Sequence, residues 1–158
     1  MRVSARSEYA VRAMVHLARA YGYGPVPLSH VAERERLSLD FLEQLMLAQR
    51  NKGLVKSERG VHGGFMLAMH PSQVSVGEVM RAVDPFALMQ CLELSPEDQP
   101  ICGMGITMLE CTTRDVWALL QEKMTQTLNS VSLADLCHEQ GQPLRLAHEE
   151  TVLAAPSP

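Results

Sequence analysis

Apolar positions in the first half of the chain recur with the spacing of short helices. From Ser7 onward they return at three- and four-residue steps, and Gly22 ends the pattern. A second, shorter helix is expected from Leu28 to about Leu37, and Ser38 is placed to cap a third. Two short helices joined by a tight turn, the second with a polar outer face, predict a helix-turn-helix.

The third predicted helix separates apolar from polar side chains. Its apolar stripe consists of Phe41, Leu42, Leu45 and Ala48. The polar residues that lie off this stripe are Ser38, Asp40, Glu43, Gln44 and Arg50. We expect this helix to enter the major groove of DNA, with the first four at or near base edges and Arg50 on a phosphate. Glu43 can accept from cytosine N4 and is repelled by phosphate, so it is expected to exclude wrong sequences.

A glycine-rich hairpin follows. Residues 54–57 and 65–69 can pair as strands around a tip that carries Arg59, His62, Gly63 and Gly64. After a helix-turn-helix this hairpin predicts a wing, whose arginine enters or borders a minor groove while the glycines permit close approach. The alternative is a plain hairpin in which the two glycines only supply positive φ angles.

The second half contributes two further helices. Ser75 and Glu78 fit a capping box that opens a short helix, and Asp84-Pro85 closes it. A longer helix is expected after Cys111. Its apolar stripe consists of Val116, Leu119, Leu120, Met124 and Leu128, with Trp117 alongside. We expect them to pack against a second copy, because a twofold homodimer matches a palindromic operator; packing against the first helix of the same chain is the alternative.

These elements predict a mainly α fold: a winged helix-turn-helix domain with a two-stranded wing, plus a long C-terminal dimerisation helix. Residues 1–84 form the expected DNA-binding domain and 85–111 a cysteine-bearing loop. Residues 112–137 form the dimerisation helix and a short following helix. The tail, 138–158, has little periodicity and is expected to be disordered.

The charge of the chain differs between its two halves and indicates a polyanionic partner for the first half only. The 158 residues carry a net charge of -4, but residues 1–70 hold 10 Lys and Arg against 6 Asp and Glu, whereas residues 71–158 hold 4 against 12. A basic half beside an acidic half is typical of a protein with one face toward a polyanion, here double-stranded DNA. Charged residues interrupt the N-terminal apolar positions, and no apolar run is long enough for a membrane span. We therefore expect a cytoplasmic protein.

Three of the four cysteines lie on the loop between the two C-terminal helices: Cys91, Cys102 and Cys111. A reducing compartment disfavours disulfides and favours metal binding or redox sensing. Ten and eight residues separate the cysteines, unlike the short spacing of a zinc knuckle. Soft thiolates suit iron–sulfur clusters as well as zinc, so spacing leaves both open. Cys111 also lies at a helix N-terminus, where the dipole favours a thiolate.

Four stretches resemble the Rrf2 family of winged-helix regulators: MRVSARSEYAVRAM, FLEQLMLAQRNKGLVKSERGVHGGFMLA, VSVGEVMRAVD and CTTRDVWALLQEKMTQTLNSVSLADL. They occur in order and together extend from residue 1 to about 136. The resemblance implies a homodimeric, cytoplasmic bacterial transcription regulator. Several members of the family hold an iron–sulfur cluster, 4Fe-4S or 2Fe-2S, on a three-cysteine loop, and others sense through thiols without a cluster.

The resemblance also raises the question of a fourth ligand. Members of the family have closer cysteine spacing, and some use a histidine at the position of Arg114. The nitric-oxide-sensing members use an acidic residue at the position of Glu8, which makes Glu8 the candidate here. The structural alternative for Glu8 is a solvated carboxylate in the first helical turn. Cys137 ends an apolar pattern, and we interpret it as a buried structural cysteine.

Three functions fit some or all of these sequence features. The first is a repressor whose operator affinity is set by a redox-, nitric-oxide- or iron-responsive cluster. The second is a regulator of the same fold that senses through thiols alone. The third, an iron–sulfur electron carrier or enzyme subunit, is disfavoured because the sequence has no nucleotide or flavin loop and no nucleophile–base pair. We therefore expect a regulator and not an enzyme.

Overall fold

The computed structural model describes residues 3–84, 92 and 111–137. These residues form five α-helices and one two-stranded sheet, so the predicted fold class is confirmed. In chain order the elements are α1 (Ala5–Arg19), α2 (Leu28–Glu35), α3 (Leu39–Asn51), β1 (Val55–Glu58), β2 (Gly64–Leu67), a 3-10 turn (Pro71–Gln73), α4 (Val76–Val83) and α5 (Arg114–Ser130).

Side-chain caps fix the starts of three helices. Ser38 accepts from Phe41 N at 3.3 Å, as predicted for α3. The predicted capping box of α4 is also present: Ser75 Oγ accepts from Glu78 N at 3.2 Å, and Glu78 Oε2 accepts from Ser75 N at 2.9 Å. Helix α1 begins two residues before the predicted Ser7, because Ser4 caps it and the first two helical residues are exposed, which removes the apolar signal.

The core of the N-terminal part is formed where α1, α3 and α4 meet. Four residues of α3 are buried: Leu42, Leu45, Met46 and Gln49. The predicted stripe is therefore rotated, since Phe41 and Ala48 are only half-buried. Burial of Gln49 is possible because its Nε2 donates to the backbone oxygen of Val79 at 2.9 Å, so one of its polar atoms replaces a bond to water.

The wing is an antiparallel pair of strands, and an isolated bridge joins its second strand to the residue before Pro27. Val55 pairs with Leu67 and Glu58 with Gly64, each strand one or two residues from its predicted limits. Before α2, Val26 pairs with Phe65 through backbone bonds of 2.8 and 2.9 Å. This bridge attaches the wing to the start of the helix-turn-helix.

The described residues belong to two compact units. One contains residues 3–84 together with 128–137, and the other contains residues 92 and 111–127. The expected short helix after α5 is instead an isolated bridge between Ser132 and Ser75 followed by turns. Leu133 is fully buried in the core of the first unit, which places the end of the expected dimerisation segment with the DNA-binding part.

Candidate nucleic-acid interface and cysteine site

The polar residues predicted to read DNA all lie on the exposed surface of α3. The set is Ser38, Asp40, Glu43, Gln44 and Arg50. Ser38 uses a lone pair to cap the helix, so its hydroxyl hydrogen remains free to donate to a base. At 1.5 Å per residue, Arg50 lies about 18 Å along the helix from Ser38. The helix therefore presents short polar groups and carboxylates along most of its length and a cation at its far end.

Two apolar residues on the same helix were not predicted as part of this surface. Leu39 is 41% exposed and Leu47 is 46% exposed. Leu39, Glu43 and Leu47 are spaced by four residues and so lie on one face of α3. An apolar side chain in the major groove can contact the methyl group of thymine. Neither residue belongs to the predicted apolar stripe of α3 or to its predicted polar set, so the sequence pattern assigned them no role.

The tip of the wing presents Arg59, Val61 and His62 to solvent, with Val61 97% exposed. Gly60 has a φ of +114°, which glycine adopts at the lowest cost, so it supplies the turn.

The two predicted wing glycines are required by contacts inside the protein. A Cβ on Gly64 would lie 2.3 Å from the backbone oxygen of Val26, and one on Gly63 would lie 2.4 Å from that of Glu58. Gly63 allows the hairpin to close, and Gly64 permits the bridge to Val26. Neither requires DNA to explain it.

A charged cluster joins α1 to α2. Glu35 lies beside Arg12 and His16: Arg12 Nε donates to Oε2 at 2.6 Å, and His16 Nε2 lies 2.7 Å from Oε1. Burial alone would raise the pKa of the Glu35 carboxyl, but the hydrogen bond from His16 and the charge of Arg12 lower it below its ordinary value. This cluster could not be predicted from the sequence, because charges on separate helices carry no spacing signal.

Glu8 lies one turn before Arg12 on α1 and is exposed. Its Oε1 is 3.6 Å from Arg12 Nη1. Such an exposed, long ion pair contributes little stability, so the carboxylate is available to another partner at low cost.

The two described cysteines differ sharply, while Cys91 and Cys102 lie outside the described residues. Cys111, just before α5, is half-exposed, and its Sγ lies 3.6 Å from Thr113 Oγ1. Hydrogen bonds from Thr113 and the nearby Arg114 lower the pKa of the Cys111 thiol. Cys137 packs against the core and donates to the backbone oxygen of Leu133 at 3.2 Å, and burial raises its pKa. Cys111 thus has the chemistry of a ligand and Cys137 that of a structural cysteine.

Within residues 3–84 and 111–137, no three Cys, His, Asp or Glu side chains come together as a metal site. The half-exposed thiol of Cys111 and the exposed carboxylate of Glu8 are nevertheless donor types that iron accepts. The donor types of these two residues fit an iron–sulfur cluster.

Helix α5 buries none of its residues in the single chain. Val116 is 61% exposed, Trp117 38% and Leu120 39%, and Met124 and Leu128 are half-buried. An exposed run of large apolar side chains is typical of a surface that another protein covers. No helix in the described part of the chain is long and apolar enough to cross a bilayer.

Proteins of similar sequence and structure also have a helix-turn-helix. The Rrf2 family, described as an iron-dependent transcriptional regulator, matches residues 3–139. The HTH-type transcriptional regulator IscR of Klebsiella pneumoniae (strain 342) is 38% identical over 141 residues, which are 89% of this chain and 82% of the relative.

Two solved structures are similar throughout most of their length. IscR of T. potens has a TM-score of 0.66 at 35% identity and covers 86% of this chain and 85% of its own. CymR, the global cysteine regulator of B. subtilis, has a TM-score of 0.67 at 28% identity and covers 87% of this chain and 96% of its own. The family match spans both the helix-turn-helix and α5. The chain therefore belongs to the Rrf2 family of helix-turn-helix transcriptional regulators and is not an enzyme.

Proposed function

We propose that this regulator is a cytoplasmic homodimeric repressor whose affinity for a palindromic operator is controlled by an iron–sulfur cluster. The observation that carries the proposal is Cys111, a half-exposed thiol with a lowered pKa just before a helix whose apolar face is uncovered. The similarity to IscR and the family description as iron-dependent support it.

Four residues would hold the cluster, 4Fe-4S or 2Fe-2S: Cys91, Cys102, Cys111 and Glu8. When bound, it would supply sensitivity to oxidant, nitric oxide or iron loss. Hydrogen bonding with Thr113 lowers the pKa of the Cys111 thiol, which favours the thiolate form that binds metal. Glu8 is the harder, oxygen ligand, and Arg12 is its only partner among the described residues, so Glu8 is expected to be the most exchangeable of the four.

DNA recognition would combine α3 with the wing. Base edges are assigned to Ser38, Asp40, Glu43 and Gln44, and phosphate to Arg50. At the wing, Arg59 and His62 would lie in or beside the minor groove, where negative potential favours cations. Gly63 and Gly64 would act indirectly, by keeping the hairpin tight and attached to Val26.

Dimerisation is assigned to α5 because it is the described helix that buries no residue. Val116, Trp117 and Leu120 would lose exposed apolar surface against the same helix of a second copy, a favourable change of the kind that stabilises twofold dimers. Met124 and Leu128 would continue the contact. Two reading heads related by a twofold axis would match two half-sites of a palindrome.

A second candidate is thiol sensing without a cluster. It is favoured by the reactivity expected of Cys111 and by the structural similarity to CymR, the global cysteine regulator of B. subtilis. The two candidates differ in whether iron and sulfide accompany the dimer.

The test is anaerobic purification of the full chain with iron and sulfide analysis, absorption and Mössbauer spectroscopy. We expect stoichiometric iron and sulfide, loss of both in Cys102→Ala, and a weaker, shorter-lived cluster in Glu8→Ala. Cys137→Ala is the matched control, because it also removes one thiol but one that packs against the core.

Iron-free protein, or unchanged iron and sulfide in Cys102→Ala, would contradict cluster binding. An iron-free protein that still binds DNA and loses its response to oxidant in Cys111→Ala would support thiol sensing. An unaltered spectrum and lifetime in Glu8→Ala would remove Glu8 from the ligand set alone.

A further inference from the structure

A polar cleft of about 630 Å³ lies between α4 and the segment that follows α5, within the unit that carries the helix-turn-helix. Its lining includes Ser75, Glu78, Arg81, Asn129, Ser132 and Asp135. The volume lies within the range of small-molecule sites, and no residue of α3 or the wing lines it.

Backbone pairing builds the floor of this cleft. Val76 N donates to Val131 O at 2.9 Å, and Leu133 N donates to Val74 O at 2.8 Å. These two bonds place Ser75 and Ser132 directly opposite each other as a non-hydrogen-bonded pair, in which side chains approach closely. Leu133 is fully buried beside them, so the cleft is held in shape by the core.

Each serine forms hydrogen bonds with the carboxylate three residues after it. Ser75 N and Oγ both donate to Glu78 Oε2 at 2.9 Å. Ser132 N and Oγ donate to Asp135 Oδ2 at 2.8 and 2.7 Å. The caps hold both carboxylates in place.

One cation and one carboxylate oxygen in the cleft have no partner among residues 3–84 and 111–137. Arg81 makes no hydrogen bond or ion pair there, and Glu78 Oε1 accepts none. Glu and Arg three residues apart on a helix commonly pair. Here the capping box holds Glu78 toward Ser75, so both charges stay available at separate points of one cleft.

We propose that the cleft binds a free amino acid. Arg81 would donate two hydrogen bonds to its carboxylate, the geometry that guanidinium favours, and Glu78 Oε1 would accept from its ammonium. Asn129 would contact its side chain. The ligand would bridge α4 and residues 129–135, so binding would stabilise the attachment of that segment. The site does not depend on the presence of a cluster.

The test is isothermal titration calorimetry of the full-length protein with the twenty standard amino acids, one at a time. Propionate and propylamine serve as probes that carry only the carboxylate or only the ammonium group. We expect at least one amino acid to bind at one per chain and neither single-charge probe to bind comparably. Absence of binding by all twenty, or equal binding of propionate, would overturn the proposal.

Two substitutions assign the contacts. Arg81→Gln and Glu78→Gln should each weaken binding about tenfold to hundredfold, the loss expected for a hydrogen bond to a charged group. Glutamine also serves at the third position of a capping box, so Glu78→Gln should preserve the melting temperature. Lys52→Gln, an exposed cation outside the cleft, is the control. Unchanged affinity in Arg81→Gln would contradict the assigned carboxylate contact and with it the proposal.

Discussion

At the level of single residues, the two described thiols show how local contacts set reactivity. The Sγ atom of Cys111 forms a hydrogen bond with the Thr113 hydroxyl and is partly exposed to solvent. Cys137 donates a hydrogen bond to the backbone oxygen of Leu133 and packs against the core. The apolar spacing before Cys137 was enough to predict its packing. The contact between Cys111 and Thr113 could not be predicted in detail, because it depends on how the chain enters α5.

The first prediction follows from this contrast. At neutral pH, Cys111 should react with iodoacetamide faster than Cys137, because a lowered pKa increases its thiolate fraction and burial has the opposite effect on Cys137. Cluster-free, reduced protein is alkylated for increasing times, and the modified peptides are quantified by mass spectrometry. The reaction of Cys111 should begin at lower pH than that of Cys137. Equal rates and pH profiles for the two residues would be inconsistent with these environments.

Glu35 provides the second prediction. Its folded-state pKa is lowered, so its contribution to stability is complete above the ordinary glutamate pKa and is lost as the pH falls through the lower, folded-state value. Glu35→Gln should lower the free energy of unfolding by about 1–3 kcal/mol at neutral pH, since hydrogen bonds to charged groups are lost. The difference from wild type should shrink in acid. Urea unfolding from neutral to acidic pH measures it, with Glu33→Gln, exposed on the same helix, as control. If the loss of unfolding free energy in Glu35→Gln is as large in acid as at neutral pH, the carboxylate is not its cause.

At the level of elements, capping residues predicted helix starts well and distant pairings poorly. Ser38 and Ser75 cap α3 and α4 as expected because a cap is a local signal. The bridge from Val26 to Phe65 joins residues that are far apart in sequence, and nothing near Val26 indicates its partner. For this reason the wing glycines were predicted to permit close approach to DNA, whereas the bridge to Val26 accounts for Gly64.

The third prediction tests this account of the wing. Gly64→Ala should destabilise the protein by about 1–3 kcal/mol, the usual cost of overpacking, because its Cβ would overlap the backbone of Val26. Ser57→Ala, exposed on the neighbouring strand, should cost much less. Urea unfolding of both variants provides the comparison. If Gly64→Ala is as stable as Ser57→Ala, the close approach to Val26 is not a constraint.

At the level of the whole molecule, the sequence predicted the architecture but misassigned one segment. Residues after α5 were expected to form a helix, yet Val131 and Leu133 are both buried with Ser132 less so, a period of two that suits a bridged strand. That alternation was present in the sequence and was too short to outweigh the preceding helix. The basic first half of the chain favours contact with DNA, and the uncovered face of α5 supports the proposed dimer.

The most direct measurement is the affinity of an operator for the cluster-loaded and cluster-stripped dimer. Each form selects duplexes from a random pool, and anaerobic fluorescence anisotropy then gives the Kd of both forms for the selected sequences at a fixed salt concentration. Our account predicts a specific palindrome whose Kd differs at least about fivefold between the two forms, the lower end of ordinary allosteric coupling. The same Kd for both forms would contradict control of DNA binding by the cluster.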